Sequence, residues 1–121
     1  MTTKYVQEGS VTPWTNGTGS DVSSDDVVEL TNIIGVAEVD IADTAEGTVA
    51  IEGVFTLPKV SGAVFAVGEK LIWDTSAGAF DDSSATPATG DITGAAVAVE
   101  AGADTETTCV VKLTPGNTAV A

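Results

Sequence analysis

The apolar positions of the chain recur in short runs and alternations, not at helical spacing. Residues 27–30 place Val27, Val28 and Leu30 around Glu29. Over 33–41, Ala37, Val39 and Ile41 alternate with Glu38 and Asp40, which predicts a strand with one buried and one wet face. Residues 42–47 turn the chain, and 48–55 return with Val49, Ile51 and Phe55 on one face, giving a hairpin. Leu57-Pro58-Lys59 ends that strand, because proline cannot donate to a ladder. Residues 60–67 mix a helical stripe of Val60, Val64 and Val67 with Gly62 and β-branched neighbours, which limits them to one irregular turn. A strand follows at 70–74 with Leu71, Ile72 and Trp73. Residues 75–90 read as a long surface loop with a short hairpin around Ala77 and Phe80. A second hairpin joins 92–100 to 107–113, and 115–121 are a tail.

Ahead of these strands the chain is polar, with Tyr5, Val6, Val11 and Trp14 as its only large apolar anchors before Val22. Asn16-Gly17 is the strongest hairpin-turn dipeptide present, since both positions tolerate positive φ, and it predicts a reversal after residues 11–14. The resulting division is an N-terminal arm with a first hairpin at 1–24, a β domain at 25–114 and a tail at 115–121. At an offset of 59, Ile33, Gly35, Ala37, Ala42 and Thr48 align with Ile92, Gly94, Ala96, Ala101 and Thr107. The alternation loses phase there, Glu38 and Asp40 falling opposite Val97 and Val99. Either a bulge intervenes or the match is one of composition.

Composition supports the strand reading. The 17 Val, 6 Ile and 18 Thr suit a pleated surface, while helix-favouring Leu and Met number 4 and 1. The fold class is therefore all-β, a small barrel or sandwich built from hairpins, in one domain of 121 residues. At 43% hydrophobic residues and a mean hydropathy of +0.25, the acidity does not signal disorder.

Charge excludes several functions. The net charge is -14, with four Lys, no Arg and no His. Imidazole chemistry and bidentate guanidinium clamps are absent, and Lys4, Lys59, Lys70 and Lys112 are too few and scattered to follow a nucleic-acid backbone. Cys109 stands alone between Thr and Val neighbours, which suits a small core filler. Met1 to Gln7 carry no apolar run, and no stretch approaches a membrane span, so the expectation is a soluble protein made in a cytoplasm without a signal peptide. The sequon Asn16-Gly17-Thr18 is accordingly read as accidental.

Candidate chemistry fails at each test. Gly62 to Lys70 is a near miss to a phosphate-binding loop: five residues separate the glycines, Glu69 displaces the lysine and Leu71 follows it. A carboxylate there repels phosphate. Asp40, Asp43 and Glu46, and the pairs Asp25-Asp26 and Asp81-Asp82, do not match a calcium loop and read as solvated turn residues. Ser and Thr hydroxyls have no base, and no carboxylate pair is singled out for acid/base work. No catalytic, cofactor or metal residue is expected.

Several segments in order carry a resemblance: Tyr5-Val6-Gln7-Glu8-Gly9, Ile34-Gly35-Val36-Ala37, Glu52-Gly53-Val54-Phe55-Thr56-Leu57-Pro58-Lys59, Val67-Gly68-Glu69-Lys70-Leu71-Ile72-Trp73-Asp74 and Gly94-Ala95-Ala96-Val97. Spanning roughly residues 4 to 113, they resemble the capsid cement, or head decoration, proteins of tailed phages. The resemblance implies a β-rich fold, homotrimers on the outer face of the head, the major capsid protein as partner and no catalysis. It implies no nucleic-acid, membrane or small-molecule partner and no cofactor. A recombinase-like label carried by some relatives finds no support in the failed phosphate loop. The chain departs from the pattern at residues 15–25 and 75–90.

On that reading the arm, with Thr2, Thr3, Lys4, Tyr5, Val6, Gln7 and Val11, docks on the capsid, and Trp14 beside Pro13 lies at a capsid or subunit contact. Trp73 belongs to the core. The other reading is a non-catalytic ligand-binding or immunoglobulin-like module of a phage tail or cell-surface protein, which calls for an exposed aromatic platform. A carboxylate hydrolase would need an acid and base pair that the chain does not display.

Overall fold

A computed structural model describes Gln7 and residues 9–121. Its regular elements are β1 (Val11–Thr15), β2 (Val27–Leu30), β3 (Ile33–Ala37), β4 (Glu46–Ala50), β5 (Val54–Pro58), β6 (Lys70–Asp74), β7 (Ala79–Asp81), β8 (Ile92–Ala98), β9 (Thr108–Leu113) and β10 (Ala119–Val120). No helix occurs among the described residues, as a chain rich in β-branched residues requires. The strands form two antiparallel sheets, neither closed into a barrel. One has the order β1-β4-β3-β2; the other runs β5-β9-β8-β6-β7, with β10 also paired to β8.

The two sheets repeat one connectivity. β1 pairs β4 as β5 pairs β9, and β2 pairs β3 as β6 pairs β8. Hydrogen bonds outside the ladders repeat too. Val22 and Ile41 exchange both backbone bonds, as do Phe65 and Gly102; Asp25 N–H donates to Ala37 O as Gly68 N–H does to Ala98 O; Ile51 N–H donates to Ser10 O as Leu113 N–H does to Gly53 O. Residues 10–30 thus answer to 53–73 without a gap. The turn Thr31-Asn32 is replaced in the second repeat by residues 74–91, which carry β7, so Ile33 answers to Ile92.

A bulge then intervenes. The β6–β8 register shifts between Leu71 and Ile72, leaving Gly94 and Ala95 unopposed in β8. Beyond it Gly35, Ala37 and Ala42 answer to Ala96, Ala98 and Ala103, and, after one further residue added in the loop at 106–107, Thr48 to Val110, so the offset of 59 holds only before the bulge. Two extra residues preserve the period-2 phase, which places exposed Glu38 over exposed Val99 and removes the apparent conflict. Gly94 is required there. Its φ is 66°, and a β-carbon would run into the carbonyl oxygen of Asn117.

Other boundaries differ from expectation for reasons of pairing. β3 stops at Ala37 because Ile41 bridges back to Val22, and Val39 is left 48% exposed instead of sharing a buried face. The strand expected over 48–55 breaks at residues 51–53, where the chain crosses from the first sheet to the second, with Gly53 at φ 127°. The tail is not free: β10 pairs with Ile92 and Thr93 of β8, beyond the stretch that pairs with β9. No hairpin forms at Asn16-Gly17, since β1 finds its partner in β4 and Asn16 turns inward. Pro58 ends β5, an outer strand, where its missing N–H costs no ladder bond.

The larger core cluster joins Ile34 and Val36 of the first sheet to Leu57, Leu71, Trp73, Phe80, Ile92 and Val111 of the second. Trp73 and Phe80 meet edge to face, with centroids 5.0 Å apart. On the other face of the first sheet, Val22, Val28, Ala37, Ile41 and Val49 form a smaller cluster. Trp73 is thus core, as expected.

Candidate interaction surfaces

Of the residues expected at capsid or subunit contacts, Thr2, Thr3, Lys4, Tyr5 and Val6 lie outside the described residues. Gln7 is exposed, and its Nε2 donates to Val11 O at 2.9 Å, holding the end of the arm against the start of β1. Val11 is half-buried opposite Ala50. Among the described residues β1 is the outermost strand of its sheet, so the edge away from β4 has no described strand beside it. Trp14, also half-buried, packs on the smaller core cluster and keeps part of its surface outside.

The acidic residues work as turn caps. Asp26 accepts from Ser23 N at 3.0 Å, and its counterpart Glu69 accepts from Ala66 N at 3.2 Å. Asp40 accepts from Ser24 N, Asp21 from Asp43 N, and Asp91 from Thr75 N and Ala88 N. Glu69 also takes the N–H and hydroxyl of Ser83, and these donors, the Ser83 N–H foremost, hold its carboxyl below the usual range. The Ser84 hydroxyl lowers Asp82 in the same way. Residues 62–70 lead into strand β6, not a helix, and the Glu69 carboxylate accepts from the N–H of Ala66 within them. That segment offers a phosphate neither a helix N-terminus nor a free nest. Among the described residues, no three acidic or thiol side chains converge on one point.

Three polar groups are buried for structural reasons. The Asn16 amide donates to Ser20 O at 2.8 Å and Ile41 O at 2.9 Å and accepts from Thr18 N and Oγ1, so the acceptor side chain of its sequon is buried, while Gly17 and Thr18 are exposed. Lys59 holds the same place in the second repeat, its Nζ donating to Val60 O at 2.9 Å and Glu106 O at 3.0 Å. Cys109 is buried beside Leu57 O, and desolvation pushes its thiol up to about 11. It is a core filler, as its neighbours suggest.

An open trough of about 590 Å³ runs between the two sheets, lined in part by Val27, Glu29, Pro58, Trp73 and Thr75. It offers no aromatic platform, because Trp73 is buried in its floor and the other described aromatics are buried or half-buried in the cores. The pattern along the chain gave no sign of a different surface. Val64, Val67 and Val99 are 58%, 67% and 40% exposed at one corner of the second repeat. The signal that would have found them is the alignment of the repeats, which the offset of 59 could not supply for residues ahead of Ile33.

Neither curated proteins nor solved structures give a match to this chain. A family model described as phage cement protein matches residues 6–113, which takes in both sheets from β1 through β9. The chain belongs to the phage cement protein family.

Proposed function

We propose that this protein sits on the outer surface of the phage head as a homotrimer and stabilises the capsid lattice, with the major capsid protein as its partner. The observation that carries the reading is the family match over nearly all of the two-sheet body, which gives a structural role on the phage capsid. A cement protein acts through buried area and complementarity, with no need of a cleft. The described residues fit that mode: Asp21, Asp26, Asp40, Glu69, Asp82 and Asp91 cap turns, and the described aromatics lie in or against the cores. On this reading it is not an enzyme and takes no nucleic acid, membrane, cofactor or small-molecule substrate. It is synthesised in the host cytoplasm and ends in the virion.

The arm of residues 2–9, continued by Val11 and Trp14, is the capsid-docking segment on this reading, adding backbone hydrogen bonds as it orders. The outward edge of β1 supports the assignment, since a strand added there would extend the first sheet. Mixing the purified protein with undecorated heads and sedimenting them tests the function. Co-sedimentation at saturable stoichiometry is expected, and a protein that stays in the supernatant overturns it. Deleting residues 2–9 is expected to abolish co-sedimentation; undiminished binding removes the arm from the contact.

A further inference from the structure

Comparing the two repeats position by position separates what the fold needs from what one surface needs. The loop leading into β2 or β6, and the corner with which it pairs, have the same backbone in both. In the first repeat their outward positions carry Asp21, Ser24 and Glu38; in the second the same positions carry Val64, Val67 and Val99. The correspondence is anchored on both sides. Val64 precedes Phe65, which bridges Gly102 as Val22 bridges Ile41, and Val67 precedes Gly68, which donates to Ala98 O as Asp25 does to Ala37 O. Ser24 Oγ reaches Glu38 O in the first repeat, so the positions of Val67 and Val99 adjoin.

Folding does not require these valines. The first repeat builds the same turn and bridge with polar residues, and the valines that replace them keep 40% to 67% of their surface exposed. A fourth exchange accompanies them: Val27, the first residue of β2, is replaced by exposed Lys70 at the start of β6. The second corner has therefore lost Asp21 and Glu38 and gained a cation. Carboxylates remain at its rim, with Glu69 accepting from Ala66 N and Ser83 N, and Glu100 following Val99, where the first repeat has Val39. An apolar centre, an acidic rim and one lysine form a surface suited to closing around a threefold axis, the valines of three copies inward and each lysine beside the next copy's carboxylates.

We infer that Val64, Val67 and Val99 form the subunit contact with a second copy of this chain, with Lys70 set against the neighbour's rim carboxylates. The charge of the molecule selects that occupant. At -14 per chain, two copies meet only where carboxylates have been withdrawn and a cation supplied, whereas a basic partner would favour the carboxylates retained in the first repeat. The inference rests on the proposed trimer and supplies its contact.

The experiment exchanges the patch for the residues of the other repeat: Val64→Asp, Val67→Ser and Val99→Glu together, with Val67→Ser alone as a milder variant and Val39→Glu as a control at an exposed valine elsewhere. Mass is measured by light scattering across protein concentrations, and carbodiimide coupling of Lys to carboxylate reports contacts on decorated heads. The wild type and the control are expected to trimerise, in solution or on heads. The triple exchange is expected to weaken self-association by at least about tenfold, from three valines no longer buried, with an unchanged circular dichroism spectrum. The single exchange is expected to shift it in the same direction. A folded triple variant with wild-type mass and coupling overturns the patch and leaves the trimer standing. A wild type that is monomeric in solution and uncoupled on heads overturns the trimer itself. If the triple variant does not fold, unaltered association of Val67→Ser overturns the patch.

Discussion

Asn16 and Lys59 occupy one position of the two repeats, and each fills the inside of the loop that follows it with hydrogen bonds to backbone carbonyls. Their N–H groups make matching bonds, to Ala45 O and Thr107 O, at 2.8 Å in both cases. One fold position therefore accepts a neutral amide or a buried ammonium, provided that the carbonyls around it are met.

The two substitutes differ in what their removal leaves behind. Asn16→Ala strips donors from Ser20 O and Ile41 O and the acceptor from Thr18, which is expected to cost about 3 kcal/mol. Lys59→Met unpairs two carbonyls but also removes a desolvated charge, and is expected to cost about 1 kcal/mol or less. Urea unfolding of both variants checks the order. A Lys59→Met loss larger than that of Asn16→Ala contradicts it.

Asp25 holds a left-handed conformation at φ 77° where the second repeat has Gly68 at φ 86°. Both are third in a turn closed by Asp26 N–H to Ser23 O and by Glu69 N–H to Ala66 O. Glycine adopts that region without the steric penalty of a β-carbon, so Asp25→Gly is expected to stabilise the protein by about 0.5 kcal/mol after the entropy of the unfolded chain is counted. Gly68→Asp is expected to destabilise it by about 1 kcal/mol. Thermal melts of the pair decide the matter, and a loss of stability in Asp25→Gly contradicts it.

The Glu69 carboxyl is held below its ordinary value of 4.5 by hydrogen bonds that only the folded chain provides. A folded pKa below the unfolded one gives stability that is present above the unfolded value and is lost as pH falls through the folded one. The gap in melting temperature between wild type and Glu69→Gln is therefore expected to be widest at neutral pH and to close below about pH 4.5. The difference is the proper readout, because acid also relieves the self-repulsion of a strongly negative chain. A gap that stays constant from pH 7 to pH 3 rules the mechanism out.

Cys109, with its thiol raised to about 11 by burial from an ordinary 9.0, presents almost no thiolate at pH 8. At that pH the thiolate fraction is lower by about 100-fold than that of a solvated cysteine, before access is considered. Labelling by a thiol reagent is expected to be at least that much slower in the folded protein than in urea. Equal rates in the two states would show the thiol to be accessible.

How much of this was legible in the sequence depended on the range of the interaction involved. The strands at 27–30 and 70–74 were visible because β-branched and apolar runs between turn residues are local signals, and Trp73 read as core for the same reason. Cys109 was legible from its flanking Val and Thr residues. Asn16-Gly17 misled because the local turn preference competes with a buried site 25 residues away, Ile41 O, which captures the amide. Val39 misled because alternation assumes a continuing strand, and the Val22–Ile41 bridge ends it. The repeat was only glimpsed: few residues are shared, and a hairpin insertion and a two-residue bulge change the spacing along the chain.

From composition and spacing alone follow the all-β class, the absence of imidazole and guanidinium chemistry and the core position of Trp73, since these depend on residue type and near neighbours. The tertiary structure decided the pairing: β1 with β4 instead of the next strand, the chain's crossing at Gly53, and two sheets of one connectivity. Pairing is set by contacts between residues far apart in the chain, and one inserted bulge changes every later correspondence without changing the local pattern. The equivalence of Asp21, Ser24 and Glu38 with Val64, Val67 and Val99 is of that kind, visible only once the backbone has laid one repeat over the other.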